Sequence, residues 1–101
     1  MRTLQPDQID RWLRSVSSAL IDLCDLAPNW EDQEHIAAKL SWGYEWPDYM
    51  HRFEALYETY RAGGMNEDQR ARFLALQRNL EENASLVESL GLQRPPVLSR
   101  T

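Results

Sequence analysis

The 101-residue chain predicts an all-α, single-domain protein: an antiparallel four-helix bundle with two long outer helices and two shorter middle ones. Three observations predict it. Apolar residues recur in steps of three and four along four stretches, the period of a helix with one buried face. Start and stop signals bracket those stretches. No apolar–polar alternation runs long enough to make a strand.

The first helix opens at Gln5-Pro6-Asp7, because proline suits the first helical position and Asp7 and Asp10 sit at the positive end of the helix dipole. Its stripe is Ile9, Trp12, Val16, Ala19, Leu23 and Leu26, widened by Leu13 and Leu20; Arg11, Arg14, Ser15, Ser18 and Asp22 fall to water. Pro28 stops it, since a proline disfavours helical geometry in the residue ahead. Asn29 is the expected N-cap of a second helix with the weaker stripe Trp30, Gln33, Ile36, Ala37, Leu40, ended by Gly43.

An aromatic corner, Trp42-Gly43-Tyr44-Glu45-Trp46-Pro47, follows, and Pro47 opens a third helix to about Ala62. That helix carries Met50, Phe53, Tyr57 and Tyr60 on one face with Leu56 beside them, and Gly63-Gly64 ends it. Asn66 and Gln69 have the spacing of a capping box. The fourth helix continues through Phe73, Leu76, Leu80, Ala84 and Val87 to Leu90, with Gly91 and Leu92 placed for a Schellman stop. The first and fourth helices would be roughly 30 and 36 Å long at ~1.5 Å per residue. Residues 1–93 form the helical domain, and residues 94–101, starting Arg94-Pro95-Pro96, form an extended, flexible tail.

Composition narrows the function classes. The single cysteine, Cys24, permits no internal disulfide, and no apolar run is long enough for a signal peptide or a membrane span; a cytoplasmic protein is expected. Ten arginines against one lysine suggest a GC-rich bacterial or phage gene. The net charge of −5 is uneven: residues 22–48 hold seven acids against Lys39, a segment charge of −6, and the remainder is +1. Such clustering repels phosphates and favours a basic protein partner.

No catalytic signature stands out. Cys24 falls on the shoulder of the first stripe, where a small buried thiol is the plain reading, and neighbouring acids would raise its pKa. The pairs Glu31/His35 and Asp48/His51 have helical spacing, but both sit where solvated first turns are expected, so no metal or cofactor is assigned. The chain has neither a glycine-rich phosphate loop nor a nucleophile elbow.

The stretch Ile36-Ala37-Ala38-Lys39-Leu40-Ser41-Trp42-Gly43, followed by a helix, resembles a helix-turn-helix, although Lys39 stands where that pattern has a small residue. The resemblance implies a DNA-binding transcriptional regulator. Asp48, Glu54 and Glu58 on the would-be recognition helix oppose phosphate contact, so this ranks second. The leading expectation is a non-enzymatic interaction protein of regulator, inhibitor or immunity type. It would grip a basic partner through Glu31, Asp32, Tyr44, Glu45, Trp46 and Asp48, with Tyr44 or Trp46 as the aromatic anchor and Trp42 as a structural plug. The other reading of the corner is that Trp42, Tyr44 and Trp46 together plug the end of the bundle. Leu74, Leu86 and Leu90 lie outside the fourth stripe and suggest a homodimer through the first and fourth helices.

Overall fold

The computed structural model describes residues 4–30 and 36–96. Among them the order is α1 (Pro6–Leu26), a 3-10 turn (Ala27–Asn29), α2 (Ile36–Arg61), α3 (Glu67–Glu82) and α4 (Ala84–Ser89), with no strand. No helix among these residues is long and apolar enough to cross a membrane.

α1 buries Ile9, Leu13, Val16, Ala19, Leu20 and Leu23. It ends at Leu26, two residues before Pro28, although Ala27, directly ahead of the proline, keeps helical angles (φ −52°, ψ −42°) and leads into the 3-10 turn. Asn29 belongs to the 3-10 turn and is not the N-cap of a helix; the expected first turn at Glu31 and Asp32 lies outside the described residues.

The middle of the chain departs from expectation. The second and third helices are one continuous α2 of 26 residues, and Gly43 and Pro47 both lie inside it. A helix-interior proline costs about 3 kcal/mol, because it removes an N–H and crowds the carbonyl four residues back. Here Pro47 and Gly43 are on the exposed side, where water can reach the carbonyl that Pro47 leaves unpaired. On the opposite side Trp46, Met50 and Phe53 are fully buried, with Trp42 and Tyr49 packed against them. Burying large side chains contributes about 1.5–3 kcal/mol each, and several in register outweigh one proline. The turn that the helix-turn-helix resemblance needs at Gly43 is therefore not formed. Leu40 and Ala37, assigned to a buried stripe, are exposed, because unbroken helical register turns them outward.

The stop signals at the other glycines operate as read. Gly63 (φ 78°) and Gly91 (φ 81°) take the left-handed conformation. The N–H of Gly64 reaches the Thr59 carbonyl at 2.9 Å, and that of Leu92 reaches the Val87 carbonyl at 3.3 Å, the long bonds of two Schellman motifs. The Asn66–Gln69 capping box is complete. The expected fourth helix, however, breaks at Asn83. The Asn83 amide donates to the Asn79 carbonyl at 2.8 Å and accepts from the Cys24 thiol at 3.7 Å, local bonding of the kind that competes with helix continuation. The longest helix is thus α2, and the last is a single short turn-and-a-half.

One core joins these elements: Ile9, Leu13, Val16 and Leu23 from α1, Trp46, Met50, Phe53 and Leu56 from α2, Phe73, Leu76 and Leu80 from α3, and Val87. Phe73 stacks on Phe53 and Tyr60 with ring centres 5.5 and 5.0 Å apart. Residues rising along α1 meet residues falling along α2: the Leu4 N–H bonds Thr59, Ser15 bonds Arg52, and Asp22 shares a groove with Ser41 and Glu45. α3 is clasped to α1 by polar groups. Gln69, buried, donates to the Pro6 carbonyl at 3.3 Å and to Asp10 at 3.0 Å, and Arg72 pairs with Asp10 at 2.7 Å. The start of the expected tail is packed: Pro95 is buried and Arg94 pairs with Glu88 at 3.1 Å. Residues 97–101 lie outside the described residues.

Candidate functional site

Continuous helical register decides which side chains of α2 face water. Trp42, Trp46, Tyr49, Met50 and Phe53 occupy the inner side, so Leu40, Tyr44, Asp48 and His51, in steps of four, four and three, align on the outer side. Tyr44 is 84% exposed and Leu40 64%, a pair of large apolar side chains one turn apart. Single exposed apolar residues are ordinary, and these two, on neighbouring turns, are contiguous on the helix surface.

Two acids border the pair, Glu45 and Asp48, while Lys39 stands next to Leu40 and 5.9 Å from the Trp30 ring centre. Glu54 and Glu58 are exposed farther along α2, and among the described residues none of these four carboxylates forms an ion pair. Glu45 accepts a hydrogen bond from the Ser41 hydroxyl one turn earlier. The two arginines of α2 are engaged on ring faces. Arg52 lies 5.9 Å from the Trp12 ring centre and 5.4 Å from that of Tyr49, and it donates to Ser15 at 2.8 Å; Arg61 lies 5.7 Å from Tyr57. Such contacts hold each cation close to its ring.

Of the six residues expected to bind a partner, Tyr44, Glu45 and Asp48 share two turns of α2 and are exposed. Glu31 and Asp32 lie outside the described residues. Trp46 requires correction as an exposed anchor. It has no exposed surface, its ring centre lies 6.1 Å from that of Trp42 at an interplanar angle of 58°, and its indole N–H donates to the Gln93 carbonyl at 2.8 Å. In unbroken register with Met50 and Phe53 it can only point inward. Leu40 was missed as a surface residue because a helix end at Gly43 reset the register ahead of it.

Two titratable groups outside this face are perturbed. Cys24 is half-buried, and burial followed by the charge of Asp25 raises its thiol pKa, as the reading of neighbouring acids anticipated. Hydrogen bonds from Gln69 and then Arg72 lower the Asp10 pKa. Neither group lines a cleft that gathers nucleophile, base and oxyanion donors, and both sit at helix–helix contacts.

No protein-family model, no curated protein and no solved structure matches the chain.

Proposed function

We propose that this chain is a small non-enzymatic interaction protein, of regulator, inhibitor or immunity type, that masks a basic protein surface with the outer face of α2. The reading rests on one observation above others: Tyr44, 84% exposed, stands between Leu40 and Asp48, beside carboxylates that form no ion pair among the described residues. Tyrosines are enriched at binding hot spots, where the ring provides buried area and the hydroxyl a polar contact. An acidic rim accelerates encounter with a basic partner and disfavours nucleic acid. The helices serve as a rigid antiparallel bundle presenting that face, and a single thiol without a disulfide suits the cytoplasm.

Photo-crosslinking from position 44 in cells, followed by binding measurements with the captured protein, tests the reading. Tyr44→Ala is expected to weaken binding by about 2 kcal/mol. Glu45→Lys with Asp48→Lys is expected to slow association and flatten its salt dependence. A partner without basic character, or a mobility shift of DNA that survives moderate salt, overturns it.

A further inference from the structure

The outward face of α1 carries a charge pattern that is symmetric about one residue. Arg11, Arg14, Ser18, Asp22 and Asp25 follow one another in steps of three, four, four and three, and all five are exposed. Arg14 and Asp22 stand four residues on either side of Ser18, about 6 Å along the axis; Arg11 and Asp25 stand seven residues away, about 10 Å. Basic, basic, small, acidic, acidic is a sequence that matches its own reverse with the sign inverted.

These four charges form no ion pair or hydrogen bond among the described residues, although Asp10, on the same helix, holds both Gln69 and Arg72. Arg14 acts on Asp10, one turn earlier, through its charge and without a hydrogen bond. The neighbouring edge of α2 repeats the polarity. Arg52 lines a groove with Arg11 and Arg14, while Glu45 lines one with Asp22. Between the two ends the groove walls are small, at Ser15 and Ser18. Close to the centre, Ile21 is 62% exposed.

We propose that this face is a self-recognition surface: a second copy of the chain docks on it with α1 running in the opposite direction and the two-fold axis at Ser18. In a two-fold interface residue i meets j and j meets i. Arg14 then meets Asp22 of the second copy, Arg11 meets Asp25, and each contact occurs twice. Ile21 stands three residues after Ser18 and Ser15 three before, so at the level of the exposed isoleucine the second copy presents the small Ser15 and leaves room for it. Ser18 itself allows the two helices a close crossing. This moves the expected dimer from the first and fourth helices to α1 alone. Leu40 and Tyr44 do not line the grooves between α1 and α2 and remain free for another partner.

Exposed ion pairs contribute little singly and are screened by salt, so the dimer is weak, with a dissociation constant on the order of 100 μM at low ionic strength, and it loosens as salt rises. Sedimentation across a concentration series tests it. Arg14→Glu alone and Asp22→Arg alone are each expected to weaken the dimer by about tenfold or more. The double variant Arg14→Glu/Asp22→Arg restores it, and so does an equimolar mixture of the two single variants, because opposite charges meet again in both. Circular dichroism checks that helix content is unchanged. Should a reversal misfold, Arg14→Ala and Asp22→Asn are expected to weaken the dimer by a smaller factor. A wild-type chain that stays monomeric up to about 1 mM at low salt overturns the proposal, as does a dimer indifferent to both single reversals or a double reversal that fails to restore it. Those outcomes leave the Tyr44 surface untouched, since its test reads binding to a different protein.

Discussion

The indole N–H of Trp46 donates to the carbonyl of Gln93 at 2.8 Å, tying the centre of α2 to the segment that follows α4. The ring is fully buried, and the same segment places Pro95 against the body of the protein. One side chain thus links core packing to the closing stretch of the described chain. A buried indole donor left unpaired would cost about 1–3 kcal/mol, so the bond and the packing support one another.

Trp46→Ala is therefore expected to lower stability by about 3–5 kcal/mol, the range for removing a buried aromatic. Trp46→Phe retains much of the packing and loses the donor, at a cost of about 1 kcal/mol or more. Tyr44→Ala, two residues away and facing water, should change stability by less than about 0.5 kcal/mol. Urea denaturation of the three variants checks the ordering. Equal losses at positions 44 and 46 would contradict the continuous register of α2.

The glycines divide by conformation. Gly43 is helical in the middle of α2, and a Cβ added there meets nothing within 4 Å. Gly43→Ala should raise stability by about 1 kcal/mol, the helix-propensity difference. Gly91, at φ 81°, also has open space for a Cβ, but its left-handed backbone strains any L side chain. Gly91→Ala should lower stability by about 1 kcal/mol. Thermal unfolding of both variants should show shifts of opposite sign.

Asp10 links α1 to α3 and carries a pH signature. Its folded pKa lies below the ordinary value because Gln69 and then Arg72 bond the carboxylate. A lowered folded pKa means that the stabilisation is fully present above the unfolded-state value and is lost as pH falls through the folded one. The stability difference between the wild type and Asp10→Asn should be constant near neutrality and should close in acid, below about pH 4. Gln69→Leu removes the capping box and the bonds to Pro6 and Asp10 together, and should cost about 2 kcal/mol at neutral pH.

Cys24 should react slowly. Burial and Asp25 raise its pKa, and the thiol points to the Asn83 amide. Thiol-specific reagents are expected to modify it more slowly than free cysteine near neutrality, with a rate that climbs into the alkaline range. Asn83→Ala removes the amide that the thiol contacts and should accelerate the reaction; a fast, pH-independent reaction in the wild type would contradict the environment described.

Local signals determined much of this protein directly from its sequence. The stripe of α1, the capping box at Asn66 and Gln69, and the left-handed stops at Gly63 and Gly91 depend on residues a few positions apart, and each formed as read. The acidic character of residues 44–48 was legible for the same reason. Tertiary packing alone decided the fate of Gly43 and Pro47. Both are breakers by propensity, yet burial of Trp46, Met50 and Phe53 against α1 and α3 outweighs their local cost, and no window of a few residues contains that sum. The same sum turned Trp46 inward and left Tyr44 and Leu40 outside. In the opposite sense, a long-range bond between Asn83 and Cys24 accompanies the break in a helix whose own pattern ran on unbroken. Propensities act within a turn or two, whereas the burial of a large side chain depends on elements dozens of residues away.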